Sequence, residues 1–231
     1  MKTLKKIVCI IMAVLSLSLC MTSCSVKYDT DKTGKGMLLD MEKVKQEINS
    51  MSASDFAECK KSSSDYVLIK VKGYGEIVVV LREDIAPITV KNFKTLVKAD
   101  FFNGTVFHRV MEGFMIQGGG YVERDGRLVE KPASSIVGEF SENGYPNPLY
   151  HVRGVISMAR TNDPDSASSQ FFITHETSSF LDRNYAAFGY VLAGMDVVDA
   201  IATCEVEGDS DAPMPVETVV IESVTFVQPS K

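Results

Sequence analysis

Residues 66–81 read Tyr-Val-Leu-Ile-Lys-Val-Lys-Gly-Tyr-Gly-Glu-Ile-Val-Val-Val-Leu. Val67, Ile69 and Val71 alternate with Leu68, Lys70 and Lys72, the period-two pattern of a strand with one face in a core. Gly73-Tyr74-Gly75 is a turn, and Glu76 to Leu81 is rich in β-branched residues, so the stretch predicts a hairpin. Downstream, Asp84-Ile85-Ala86-Pro87 opens a helix, because proline suits the first helical turn. Val90, Phe93 and Val97 give that helix one apolar face. A second helix is expected over Met195 to Ala202, and a last strand over Val216 to Val227 with Val219, Ile221, Val224 and Phe226. Short strands separated by glycine turns, with two helices among them, predict a mainly β fold: a closed barrel with helices covering its ends.

Upstream of the hairpin the texture changes. Lys2, Lys5 and Lys6 precede the apolar run Ile7 to Leu19, which has the length of a signal-peptide core and is short for a membrane span. Thr22 and Ser23 stand directly before Cys24, and this stretch resembles the lipobox of bacterial lipoproteins, although Met21 stands where leucine is usual. The resemblance implies lipidation at Cys24 and a signal peptide over residues 1–23. Removing that segment takes away three lysines and no acid, so the formal charge moves from -6 to -9. An acidic body is not drawn to anionic lipid, so a lipid anchor would have to hold it. Residues 24–64 read as a tether, with a short amphipathic helix expected over Met37 to Met51, and residues 65–231 as the folded domain. Cys59 and Cys204 remain, and the sequence leaves their pairing open.

Composition and motifs exclude several classes. The chain has 231 residues, is 45% hydrophobic and 23% charged, and is neither disordered nor polytopic. Net acidity argues against a nucleic-acid partner. His108, His151 and His175 are far apart without ligand spacing, so no metal site and no cofactor is expected, and each histidine reads as structural. Gly118-Gly119-Gly120 lacks the lysine of a phosphate loop, and no G-x-S-x-G elbow appears. The acids around Asp209 and Asp211 sit among Gly, Ser and Pro and read as a solvated loop.

The block Phe107-His108-Arg109-Val110-Met111-Glu112-Gly113-Phe114-Met115-Ile116-Gln117-Gly118-Gly119 carries the unusual choices. A single guanidinium in an apolar run is costly unless it faces a cleft or a partner. Ser157-Met158-Ala159-Arg160, Ser169-Gln170-Phe171-Phe172-Ile173 and Phe180-Leu181-Asp182 add apolar residues and a few polar donors, the make-up of a ligand pocket. Phe107 and Phe171 read as core instead.

With these residues the sequence resembles the cyclophilins, the peptidyl-prolyl cis–trans isomerases, over about Tyr66 to Phe226. The blocks occur in the family's order and spacing, and Ala86 to Phe93 resembles the family's first helix. The resemblance implies an eight-stranded antiparallel closed β-barrel capped by two α-helices. It also implies that Arg109 is the catalytic arginine, acting with Phe114 and Gln117. Met115, Ala159, Arg160, Gln170, Phe172, Phe180, Leu181 and Tyr185 would contact the peptide. Three positions depart from the common pattern. Arg160 stands where many members have asparagine, Tyr185 where many have histidine, and Phe180 where cyclosporin-sensitive members have tryptophan.

The implied activity is acceleration of X–Pro isomerisation in secreted or surface proteins, by an extracytoplasmic, lipid-anchored monomer whose partners are proline-containing segments. The competing class is a non-catalytic module that holds proline peptides in the same groove. A lipid-anchored solute receptor is a third class, for which the chain is short.

Overall fold

A computed structural model describes residues 66–227. The expected signal segment 1–23, Cys24, the tether 24–64 with its helix at Met37 to Met51, and Cys59 lie outside the described residues.

The hairpin forms as expected. β1 (Tyr66–Val71) pairs antiparallel with β2 (Gly75–Leu81) in a register running from Tyr66↔Val80 to Val71↔Gly75. Val67, Ile69 and Val71 are buried and Lys70 is exposed, as the alternation requires. The chain continues through β3 (Thr105–Met111), β4 (Met115–Arg124), β5 (Arg127–Glu130), β6 (Val155–Met158), β7 (Phe171–Thr174) and β8 (Ala187–Ala193). A two-stranded excursion, β9 (Val206–Glu207) with β10 (Met214–Pro215), precedes β11 (Val219–Val227). The sheet order is β3-β11-β1-β2-β8-β6-β7-β4, and β3 pairs with β4, which closes eight antiparallel strands into a barrel. β5 extends the sheet as a hairpin partner of β4. Closure leaves these eight strands no exposed edge.

Two helices lie where expected, α1 (Pro87–Lys98) and α2 (Met195–Ala202). Val90, Phe93 and Val97 of α1 and Val198 and Ile201 of α2 are buried in the core. No side chain beside its own N-terminus caps α1. Glu139, buried and 50 residues away, accepts hydrogen bonds from the N–H groups of Ile88 (3.0 Å) and Thr89 (2.7 Å). A carboxylate there satisfies two orphan donors and complements the helix dipole.

The core is aromatic at its centre. Phe93 lies 4.9 Å from Phe102 and 5.7 Å from Phe171, and Phe107 lies 6.0 Å from Phe171, the last two pairs edge to face. Each such buried ring contributes roughly 1.5–3 kcal/mol of transfer free energy. Phe107 and Phe171 are thus core residues, as read from sequence.

The last strand begins later than expected. Val216 is 46% exposed, and its N–H bonds to the carbonyl of Glu205 beside the β9–β10 ribbon. Phe226 shares a face with Val224 but lies at the strand's end, 38% exposed.

Candidate active site

Strand periodicity separates core from site. In Phe171-Phe172, Phe171 enters the main core and Phe172 joins a smaller cluster on the other face with Met115 and Leu181. Gln117 is the register partner of Phe172, and Met115 of Thr174, so Met115, Gln117 and Phe172 share that face. Met111, Phe114, Ala159 and Tyr185 pack around this cluster. Arg109, Phe114, Met115, Gln117, Ala159 and Arg160, with Phe172, Leu181 and Tyr185, line a depression of about 120 Å³. That is the share of about four waters, room for one ring rather than a folded ligand.

A β-bulge aims the arginine. Phe107 is the partner of Gly118 and Arg109 that of Gln117, so β3 carries one extra residue there. Phe107 and Val110 consequently both reach the core, although they are three apart. Arg109 and Met111 face the depression instead. Arg109 Nε donates to the backbone carbonyl of Asp211 at 2.9 Å, and one terminal nitrogen donates to Gln117 Oε1 at 3.3 Å. The sulfurs of Met111 (3.2 Å) and Met115 (4.0 Å) complete its surroundings as weak acceptors. Burial pulls the guanidinium below its ordinary pKa, with Tyr185 and Asp211 opposing. It starts so high that the charge persists at neutral pH. The guanidinium carbon lies 5.7 Å from the centre of the Phe114 ring.

Gln117 is oriented from its other end, since its Nε2 donates to Gln170 Oε1 at 3.0 Å. With the guanidinium donating to Oε1, both ends of the amide are assigned by their neighbours. Ala159 is tied to Gln170 through backbone, its N–H donating to the Gln170 carbonyl at 3.0 Å.

Arg160 turns its charge away from the floor. Nε and one terminal nitrogen donate to the carbonyl of Asn184 at 3.0 and 2.9 Å, and the other terminal nitrogen to Thr161 at 2.8 Å. Its guanidinium carbon stacks 4.7 Å from the Tyr185 ring, which meets Phe172 edge to face at 5.9 Å. Arg160 and Tyr185 thereby form one wall. Phe180, on the short 3-10 turn Ser179–Leu181, is 69% exposed and 5.2 Å from Phe114. It stands at the rim, whereas its neighbour Leu181 is buried in the floor.

Four residues at the site escaped the sequence reading as participants. Met111 had a signal, because it lies two residues from Arg109 on one strand and so shares its face. Asp211 had none: its side chain is exposed, and its carbonyl reaches Arg109 across 102 residues. His151 and Asp182 back the floor. His151 stacks on Phe172 at 5.9 Å, its Nδ1 lies 3.0 Å from Asp182 Oδ1, and its Nε2 lies 3.0 Å from Ser157 Oγ. This is the bond order of a serine–histidine–acid triad. Ser157 and His151 are both fully buried, however, so no substrate carbonyl reaches the hydroxyl. The group holds Phe172 in place. Among the described residues no three His, Cys, Asp or Glu converge as metal ligands.

The chain is similar to known proteins of one family. The model of the cyclophilin type peptidyl-prolyl cis-trans isomerase/CLD family matches residues 66–226. A peptidyl-prolyl cis-trans isomerase of Acinetobacter baylyi is 47% identical over 55% of this chain and 67% of its own length. Peptidyl-prolyl cis-trans isomerase A of Dickeya dadantii is 39% identical over 72% of this chain and 87% of its own. A crystal structure of a Cryptosporidium parvum cyclophilin type isomerase, in the presence of the dipeptide Ala-Pro, matches with a TM-score of 0.57 and 26% identity. It covers 71% of this chain and 99% of that one.

Proposed function

The chain belongs to the cyclophilin-type peptidyl-prolyl cis–trans isomerases, and we propose that the depression beside Arg109 is its active site, with Arg109 stabilising the twisted X–Pro amide. The observation that carries the reading is the half-buried guanidinium of Arg109, held by the Asp211 carbonyl and Gln117 at the edge of an apolar floor sized for one ring. The relative solved in the presence of Ala-Pro supports proline as the ring that sits there.

The task is kinetic. Rotation about a peptide bond meets about 18–20 kcal/mol because resonance must break, whereas the two X–Pro isomers differ by only about 0.5–1 kcal/mol. No nucleophile, proton donor or cofactor is needed, only tighter binding of the twisted state than of either planar one. At the twist the proline nitrogen becomes pyramidal and gains a lone pair, to which the guanidinium donates. Phe114, Met115, Phe172 and Leu181 hold the pyrrolidine ring. Gln117 and the backbone at Ala159 and Arg160 hold the flanking peptide, with Gln170, Tyr185 and Phe180 shaping walls and rim. An acceleration of ~10⁵ requires about 7 kcal/mol of differential binding. A charge-assisted donor beside an apolar floor contributes about 3–4 kcal/mol of it, and a fixed ring and flanking peptide the rest.

Arg109→Ala tests the assignment. Cis-to-trans exchange of a proline tetrapeptide should slow by at least about a hundredfold in kcat/KM, with the melting temperature within a few degrees of wild type. Near-normal turnover in that variant overturns it.

The residues before the barrel support a place for the enzyme. Within this reading, residues 1–23 are a lipoprotein signal peptide, Cys24 carries lipid, and residues 24–64 tether the isomerase domain 65–231 outside a bacterial membrane. There a monomer would serve secreted or surface clients. Cys24→Ser should abolish a diacylated N-terminal peptide in mass spectra and leave residues 1–23 attached. A wild-type N-terminal peptide that begins at Cys24 without lipid overturns the anchor.

A further inference from the structure

Phe114 occupies an unusual position for a pocket wall. It lies between the end of β3 at Met111 and the start of β4 at Met115, outside the strand ladder. Its N–H bonds to the Met111 carbonyl at 3.1 Å, and Gly113 has φ +76°, so Met111 to Phe114 form a tight turn whose third residue needs positive φ. What holds this turn comes from residues 175 and 176. The N–H groups of His175 (2.9 Å) and Glu176 (3.4 Å) donate to the Phe114 carbonyl. The third bond is from a side chain: the Gly113 N–H donates to His175 Nδ1 at 2.9 Å.

That bond fixes the imidazole's state. Because Nδ1 accepts, the proton of the neutral ring sits on Nε2, which faces Asp199 Oδ1 on α2 at 3.3 Å. Asp199 is in turn gripped by Arg153, one terminal nitrogen lying 2.7 Å from each carboxylate oxygen. The other terminal nitrogen of Arg153 donates to the His175 carbonyl at 2.6 Å. A chain of polar contacts therefore runs from Arg153 through Asp199 and His175 to Gly113, one residue short of Phe114. The His175 side chain is only 12% exposed and is held at both nitrogens.

We propose that His175 is a positioning residue for the proline pocket, its Nδ1 lone pair and Asp199-fixed ring setting the turn that presents Phe114. The proposal rests on the reading that Phe114 holds the proline ring. His175 does not line the depression. Its influence passes through the turn, so losing it loosens a binding wall and leaves the Arg109 donor in place. Interactions made equally in ground and transition state appear in KM rather than kcat.

Three variants in the full chain test this: His175→Ala, His175→Asn and Phe114→Ala. Asparagine carries its amide oxygen on Cγ, where histidine carries Nδ1, and so keeps an acceptor for Gly113. In His175→Ala, hydrogen exchange of the Gly113 amide should quicken at least about tenfold. KM for a proline tetrapeptide should rise about three- to tenfold, the worth of one hydrogen bond, with kcat within about twofold. His175→Asn should recover both, a rescue that a purely packing role would not produce. Wild-type Gly113 protection or wild-type KM in the alanine variant overturns the proposal, as does failure of asparagine to recover them. If Phe114→Ala also keeps a normal KM, the fault lies in the pocket assignment, and Gly113 exchange still reports the clamp. Should His175→Ala not fold, the test moves to wild type. A nitrogen–nitrogen coupling across the hydrogen bond from Gly113 to His175 Nδ1 is expected, and its absence is decisive against the proposal.

Discussion

Gly120→Ala should damage the active site from behind. A Cβ on Gly120 would stand 2.3 Å from Gln170 Cγ, 2.8 Å from its Cδ and 2.9 Å from its Nε2. All three are closer than carbon tolerates, and the Gly120 backbone is not left-handed, so side-chain collision alone decides the outcome. Gln170 has to swing out. It then leaves Gln117 Nε2, which it meets at 3.0 Å, and Gln117 loses the contact that orients its oxygen towards Arg109. One side-chain hydrogen bond contributes about 0.5–1.5 kcal/mol, and the loosened Arg109 contact adds part of another. A total of about 1–2 kcal/mol off transition-state stabilisation lowers kcat/KM roughly 5- to 30-fold. Tetrapeptide isomerisation by wild type, Gly120→Ala, Gln170→Ala and the double variant measures it. Since both single changes remove the same side chain from the same place, the double variant should be no worse than either. Losses that add, or a Gly120→Ala enzyme with normal turnover, would refute the relay from Gln170 through Gln117 to Arg109.

Other consequences follow from contacts away from the pocket floor. Glu139→Ala strips two N–H groups at the start of α1 of a buried carboxylate and should cost about 3–5 kcal/mol in urea unfolding; a loss under about 1 kcal/mol would show that water replaces it. Burial holds the His108 imidazole down to about 4, below its unfolded value of about 6.5. The unfolded chain therefore binds the proton first, and the stability this group contributes is present above about pH 6.5 and lost as the pH falls towards 4. Between pH 7 and 4.5 wild type should lose about 2 kcal/mol more than His108→Phe, and equal slopes would contradict the burial argument. Phe180→Trp adds an indole donor at the exposed rim. By calorimetry it should tighten cyclosporin about tenfold, the worth of one hydrogen bond, with tetrapeptide turnover within about threefold, and an unchanged Kd would count against the missing donor.

Much of the fold and part of the site are legible because their causes are local. The alternation of Val67, Ile69 and Val71 marks a strand and its inward face, and Pro87 with Val90, Phe93 and Val97 marks a helix and its buried stripe. The site block is visible because Arg109, Phe114, Met115 and Gln117 lie within nine residues, on two adjoining strands and the turn that joins them. The resemblance puts Phe180 and Leu181 together among the binding residues, and only the turn at Ser179–Leu181 separates them, Phe180 at the rim and Leu181 in the floor. No local pattern connects His175 with Gly113, 62 residues away.

The period of each element, the residues available to a core and the chemical inventory of the site are written in the chain itself. These depend on steric and hydrophobic rules acting over a few neighbouring residues. The tertiary structure decided which face each residue serves. The bulge in the β3–β4 hairpin puts Phe107 in the core and the Arg109 guanidinium over the pocket, and the pairing of β4 with β7 brings Phe172 beside Gln117 to floor it. It also brought the Asp211 carbonyl to Arg109 and the Glu139 carboxylate to α1. A polar group's partner is whatever acceptor or donor the packed chain delivers within about 3 Å, and that depends on the closure of all eight strands together.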